Sequence, residues 1–428
     1  MKMFHVSTLF LIYFIHVTLV GSCPDKCTCS YNLDTGLTVF CKGRGLTQVP
    51  LNFPNDTYKI DLSYNNIQTI EAEAFVDLKN LHRIDLYQSH VERIKTGAFK
   101  DLPNLDYIYL FSNSIAQIDG NAFKNLSKLT YIDLHYNGIS TISADTFVGL
   151  ESLHTIHLQQ SGVKQIESGA FKDLPNFYQL NLYSNGITDI GSNAFQNLPS
   201  LRNMDLNRNS ISVIGNTTFA GLPNLFMLDL HINRISVIQP NSFSHLTNLV
   251  ILKLSYNRIS DVKKEYFNGL ENIQEIWMNG NKLTFVEEEA FRDMTNLTVL
   301  TLDVYCDCNI KPFRNWLNLV ERNESSVKCI DVDDALLTSL PSCFFDKCNG
   351  PQCSTIVCNQ SMCYYNYTGD IICRNEQDLQ CTVHNATVAK MYWLLCLLTC
   401  TYYDLFDTFG PFSMQCKVML CLFLNTNR

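Results

Sequence analysis

The side chains of this sequence best suited to chemistry recur on one period. Asp61, Asp85, Asp133, Asp205 and Asp229 are separated by multiples of 24 residues, His157 falls in their column, and His135 and His231 share a neighbouring one. Stacked carboxylates are the raw material of a cation site, and outward imidazoles can make a ligand grip depend on pH. Lys59 and Arg83 stand beside the first two aspartates, however, so solvated charge pairing offsets their repulsion without an ion. No metal, cofactor or catalytic residue is assigned. No two histidines lie four apart on a helix, the cysteines leave no free nucleophile, and an enzyme is the least favoured class.

The same period carries the scaffold. Phe75, Phe99, Phe123, Phe147, Phe171, Phe195, Phe219, Phe243, Phe267 and Phe291 recur every 24 residues without insertion or deletion. Around them the frame of one unit reads Leu105, Ile108, Leu110, Asn113, Ile115, Ile118, Ala122, Phe123 and Leu126. One such unit cannot bury its apolar residues alone, so successive coils must stack and share a core. Alternation along residues 107 to 111 turns Ile108 and Leu110 inward and Tyr107, Tyr109 and Phe111 outward. A ladder of Asn65, Asn113, Asn137, Asn185, Asn209, Asn233, Asn257 and Asn281 repeats the register independently. Ser89 and Ser161 replace two rungs, where a hydroxyl satisfies fewer backbone groups than an amide and local softening is expected.

Outward positions are where function is expected. With strands about 4.8 Å apart, Tyr87, Tyr107, Tyr109, Phe111 and Tyr131 form one patch flanked by His135 and His157, and Tyr183 joins the candidate set. Exposed tyrosine suits binding because its ring buries area at low entropic cost while its hydroxyl still pairs. Other coils use Asn203, Asp205 and Asn207 instead. Trp277 is either a second hot spot or a contact of the C-terminal cap. The net charge of -9 offers no basic stripe, which argues against a nucleic-acid partner.

Residues 1–22 read as a signal peptide: Lys2, an apolar run from Leu9 to Val20, then Gly21 and Ser22. Eighteen cysteines, none between Cys41 and Cys306, then read as disulfides of an oxidising compartment that staple the ends of the array. Sequons at Asn55, Asn125, Asn216, Asn296, Asn323, Asn359, Asn366 and Asn385 fit the same compartment and avoid the outward columns. Residues 391–428 contain two apolar runs split by Asp404 and Asp407, each short of the 20 or so residues a span needs. Three readings stay open there: a poor membrane anchor, a cysteine-bonded extension, or an unrepresentative sequence end. With about 20 residues beyond Asp407, no intracellular signalling module is expected.

At the amino end Cys23, Pro24, Cys27, Cys29 and Cys41, then Gly45, Leu46, Val49, Pro50 and Pro54, resemble the N-terminal cap of extracellular leucine-rich-repeat proteins. Cys306, Asp307, Cys308, Phe313, Trp316, Leu317 and Cys329 resemble the matching C-terminal cap, with Phe313, Trp316, Leu317 and Val320 on one helical face that can cover the last coil. The resemblance, over residues 23 to 343, is to the superfamily of Slit, Nogo-receptor-like proteins, Toll-type receptor ectodomains and variable lymphocyte receptors. It implies an α/β leucine-rich-repeat solenoid: a curved horseshoe with a parallel concave β-sheet, little regular helix on the convex side, and disulfide-stapled caps. It implies pairing of Cys23 with Cys29, Cys27 with Cys41 and Cys306 with Cys329, leaving Cys308 to a later cysteine such as Cys343. The spacing after Cys329 departs from the family.

The expected organisation is a signal peptide at 1–22, a cysteine cap at 23–56, repeats at 57–302, a second cap at 303–343, a cysteine-rich extension at 344–390 and an apolar tail at 391–428. The expected function is extracellular or cell-surface recognition of a protein or glycan ligand on the concave face, with a membrane co-receptor as partner, in innate immunity or cell guidance by family analogy. The alternative is a matrix component resembling the small leucine-rich proteoglycans.

Overall fold

The computed structural model describes residues 22–319, 324–340, 345, 362–365 and 371–374. The signal-peptide residues 1–21, the tail 391–428, Val320, Cys343 and the sequons at Asn323, Asn359, Asn366 and Asn385 lie outside the described residues. The chain divides into two compact units, Met1–Asp303 with Arg322–Ser326, and Val304–Glu321 with Val327–Arg428.

The first unit is a parallel-sheet solenoid. Three-residue strands such as Arg83–Asp85, Tyr107–Tyr109, Tyr131–Asp133 and Thr155–His157 pair in parallel, each residue opposite the one 24 positions on, as Tyr107 opposite Tyr131 and Asn203 opposite Met227. The inward residue of each strand, Ile84, Ile108, Ile132, Ile156 or Leu180, is fully buried. Burying one such side chain contributes about 1.5–3 kcal/mol. Two-residue strands such as Arg93–Ile94 and Gln165–Ile166 form short parallel sheets elsewhere on the coils.

The ten periodic phenylalanines make a second core. From Phe75 to Phe291 each ring stacks on the next with centroids 5.4–6.5 Å apart and planes within 27°. Phe53 begins the file one coil earlier, 6.3 Å from Phe75. Constant spacing in sequence thus becomes constant spacing in space, and an insertion would break the file.

The asparagine ladder ties each coil to its neighbours. Asn113 Nδ2 donates to the carbonyls of Leu86 and Leu110, each at 2.9 Å, while its Oδ1 accepts from the backbone N–H groups of Ser89 and Val91. Seryl rungs keep part of this pattern: Ser89 Oγ donates to the Leu62 carbonyl at 2.8 Å and Ser161 Oγ to the Leu134 carbonyl at 2.7 Å. At Ser89 the backbone supplies what the hydroxyl cannot, its carbonyl accepting from the Ile67 N–H at 2.8 Å. The next residues, His90 and Gly162, adopt left-handed φ values of 58° and 77°. The chain therefore takes a different turn after the serine rungs, and at Ser89 that turn stays bonded through the backbone.

The amino end opens with an antiparallel hairpin of Thr28–Asn32 and Gly36–Phe40. Its second strand runs parallel to Thr57–Asp61 and covers the edge of the first coil. Cys23 is bonded to Cys29 and Cys27 to Cys41. The exposed apolar end of a solenoid is thereby closed by paired backbone, not left to solvent.

In the second unit a helix spans Lys311–Leu319 after a short turn whose Asp307 carboxylate accepts from the Asn309 N–H at 2.8 Å. Phe313, Trp316 and Leu317 are buried, with the two rings stacked 5.6 Å apart. Cys306 is bonded to Cys329, and Cys308 is also disulfide-bonded. The strands Met362–Tyr365 and Ile371–Arg374 pair antiparallel, with Cys363 opposite Cys373. Among the described residues no helix is long and apolar enough to cross a membrane.

Candidate functional site

The outward face of the long sheet gathers its aromatic residues on the strands that begin at Arg83, Tyr107, Tyr131 and Thr155. Parallel pairing at fixed register stacks equivalent positions, so one column becomes a ring file. Tyr87 lies flat on Phe111 with centroids 4.7 Å apart and planes 2° apart, and Phe111 lies on His135 at 4.8 Å and 9°. A second cluster joins Tyr109 to Tyr131 at 5.4 Å, Tyr131 to His157 at 5.3 Å, and Tyr107 to Tyr131 at 6.1 Å. Tyr109 meets Phe111 edge to face at 6.5 Å and connects the two. Aromatic pairs in these arrangements add about 0.5–1.5 kcal/mol each beyond area burial.

Under the rings runs a polar network. Tyr131 Oη donates to Asp133 Oδ2 at 3.2 Å and lies 3.2 Å from His157 Nδ1. His135 Nδ1 donates to Asp133 Oδ1, and the His135 backbone N–H adds a bond to the same oxygen at 3.2 Å. Burial, reinforced by Asp133, pushes the Tyr131 phenol up and keeps it a donor across physiological pH. Burial pushes the His157 imidazole down, against the opposing pull of Asp133. Around the buried Asp133 carboxylate, the Tyr131 phenol and the His157 imidazole thus present rings and weak donors.

The aspartate column is not the solvated set that the sequence implied. Asp61, Asp85, Asp133 and Asp229 are buried at 8%, 2%, 5% and 6% exposure. Long neighbours fold over them: Lys59 and Arg83 both pair with Asp85, at 2.9 and 2.7 Å, and Lys253 lies 3.6 Å from Asp229. Asp61 is held instead by Ser63, whose backbone N–H donates at 3.0 Å. Carboxylates spent on such partners explain the column as internal pairing.

Of the candidate residues, Tyr87, Tyr107, Tyr109, Phe111, Tyr131, His135 and His157 come together. Tyr183 stands two strands from His135, beyond Gln159, whose Oε1 is buried without a hydrogen-bond partner. Trp277 is half-buried, its indole N–H donating to Glu275 Oε2 at 2.9 Å on its own strand. Sequence reasoning missed Lys42, Tyr64 and Tyr136. Lys42 Nζ sits 4.7 Å from the Tyr64 ring and 5.8 Å from the Tyr87 ring, so the file continues onto the cap. Tyr136 lies 5.0 Å from His135. Tyr64 and Tyr136 sit one place past the three columns that alternation turns outward, at left-handed turn positions, φ 58° and 54°. Their 24-residue spacing pattern was the available signal. Arg83 also covers Tyr109, its Cζ 4.3 Å from the ring centre.

Comparison with known proteins agrees with this architecture. Leucine rich repeat profiles match residues 151–211, 199–259 and 247–304, a BspA type leucine rich repeat region matches 55–178, and the leucine rich repeat N-terminal domain matches 22–54. The insulin-like growth factor-binding protein complex acid labile subunit of Mus musculus is 45% identical over 60 residues, 14% of this chain and 10% of that protein. Decorin of Rattus norvegicus is 41% identical over 64 residues, 15% of this chain and 17% of decorin. The chain therefore matches no more than 17% of the length of these curated relatives. Among solved structures, a chain from the octameric complex of Latrophilin 3, Unc5D and FLRT2 (LRR) superposes with TM-score 0.59 at 26% identity, covering 76% of this chain and all of that one. The Drosophila Toll–Spatzle complex gives TM-score 0.56 at 22% identity, over 65% of this chain and 39% of that one, a likeness of fold.

Proposed function

We propose, from the premise that this chain is a leucine-rich-repeat protein with a disulfide-bonded N-terminal cap, that it is an extracellular or cell-surface recognition protein. Its ligand, a protein or glycan, docks on the outward face of the long sheet, and no bond is made or broken there. The observation that carries this reading is the continuous ring surface from Tyr87 to His157. Rings already stacked against one another lose little freedom on binding, and such anchors dominate interface energies. Likeness to a chain found in an octameric complex with other proteins supports a protein ligand.

The disulfides of the two caps support an oxidising compartment, and Asn55, Asn125, Asn216 and Asn296 are exposed and off the strands, so glycans added there leave the ring surface open. Residues 1–22 act as the signal peptide in this reading. Purified full chain, labelled, stains a panel of intact cells; Tyr109→Ala with Phe111→Ala removes the staining while the melting transition is kept. Staining unchanged in that variant defeats the proposal. A tag inserted after Ser22, followed at the cell surface and in the medium, decides between an anchored receptor and a secreted protein.

The decorin stretch favours a second reading, a matrix component of the small leucine-rich proteoglycan kind. Retention of the chain on collagen fibrils, insensitive to Tyr109 and Phe111, would select it.

A further inference from the structure

Where the aromatic strands begin, an open depression of about 470 Å³ lies beside the ring surface. Tyr107, Tyr131, Ser152, His154, Thr155 and Asn176 supply most of its wall, and Thr130 completes it. The size falls within the range of small-molecule sites. The composition is the informative part: no aspartate, glutamate, lysine or arginine lines it. The wall offers two aromatic rings, three aliphatic hydroxyls, one imidazole and one carboxamide.

These groups are held in place before any ligand arrives. The rings of Tyr107 and Tyr131 lie 6.1 Å apart and tilted by 45°, and Tyr107 is 39% exposed. His154 stacks on Tyr178 at 5.1 Å with planes 11° apart, and its Nδ1 is 3.2 Å from Thr155 Oγ1. Asn176 Nδ2 donates to the Glu151 carbonyl at 2.9 Å, which orients the amide and leaves its oxygen as an acceptor. The Thr130 hydroxyl donates to Asp106, so its oxygen keeps lone pairs to offer.

A ligand matched to this wall has an apolar C–H face to lay on a tyrosine ring and a rim of hydroxyls that both donate and accept. An anionic group would find no cation among the lining residues, and an ammonium would meet no lining carboxylate, since Asp106 is already bonded to the Thr130 hydroxyl behind the wall. Each would lose hydration with little compensation. We propose that the depression is a subsite for a neutral oligosaccharide. This rests on the recognition reading and narrows the chemistry of its ligand. Preset rings and polar groups lower the ordering cost of binding, and the open mouth admits a chain of sugars that continues over Tyr109 and Phe111.

The test is a printed array of neutral oligosaccharides with sulfated and sialylated counterparts, probed with purified full chain. Neutral members are expected to retain the protein and their charged counterparts are not. Thr155→Trp, which fills the depression, and the milder His154→Ala should each reduce retention at least tenfold with an unchanged melting transition, whereas Asn203→Ala should not. A blank array, retention by the charged counterparts alone, or neutral binding unaffected by His154→Ala overturns the proposal. A blank array alongside cell staining that still depends on Tyr109 and Phe111 removes the subsite and leaves the recognition reading standing. Staining indifferent to those two residues removes the reading itself.

Discussion

Two places on the outer face carry the same Asp-Leu-His triplet in different company. At Asp133-Leu134-His135 and at Asp229-Leu230-His231 the imidazole Nδ1 donates to the aspartate Oδ1, and the histidine backbone N–H adds a bond at 3.2 and 3.1 Å. Around the first, Phe111 stacks on the histidine and the Tyr131 hydroxyl takes the second carboxylate oxygen. Around the second, Lys253 approaches the carboxylate and the neighbouring strand presents Asp205, whose acid burial pushes up, with Asp229 adding to it. The triplet is therefore a feature of the strand, and the neighbours on adjacent coils decide what it becomes. Conserving the coil while changing its outward residues makes one segment a ring surface and the other a polar, charge-paired one.

The interior should not distinguish the two segments. Phe123→Ala and Phe219→Ala each remove one ring from the same stacked file, and each should cost about 3–5 kcal/mol of stability in denaturant unfolding. A large disparity would mean that the coils differ inside as well as out. Ligand binding should distinguish them sharply. Tyr109→Ala with Phe111→Ala should cost about 2 kcal/mol or more, a loss of about 30-fold in affinity by titration, while Asn203→Ala with Met227→Ala should change it less than about threefold.

A finer difference concerns the triplets themselves. His135→Ala loses a ring stack that His231→Ala does not, and should cost about 0.5–1.5 kcal/mol more by thermal unfolding. The smallest effect is on pH. His157 titrates below its ordinary 6.5 because burial disfavours its cation, with His135 adding repulsion and Asp133 opposing. Between the folded value and 6.5 the unfolded chain binds the proton that the native chain refuses, so native stability rises with pH across that window. Acidification below about 6.5 should lower the melting temperature, and His157→Gln should flatten that slope.

The coil was legible because its period is exact in number and each position has one task. Phe99 buries, Ile108 points inward and Asn113 bonds two neighbouring coils, so residue type and spacing were sufficient. The outward placement of the ring residues was legible for the same reason, since register carries Tyr107 to Tyr131 without ambiguity. What was not legible depends on side-chain reach. Lys59 bends past its own strand to Asp85, and Asp61 turns to Ser63, so a column that reads as exposed acid is buried. Tyr64 and Tyr136 sit on left-handed turns where alternation no longer indicates direction, and Lys42 belongs to the cap, outside the repeat. The cap disulfides followed from family resemblance, not from spacing.

The central claim is that ligands sit on the ring surface of the early coils. Hydrogen exchange by mass spectrometry, on the full chain with and without a cell-surface ligand it retains, addresses that claim most directly. The account predicts slowed exchange in peptides covering 105–114, 129–138 and 153–160, with 203–210 and 227–234 unchanged. Protection confined to the later strands, or to the turns that carry Asn125 and Asn216, would contradict it.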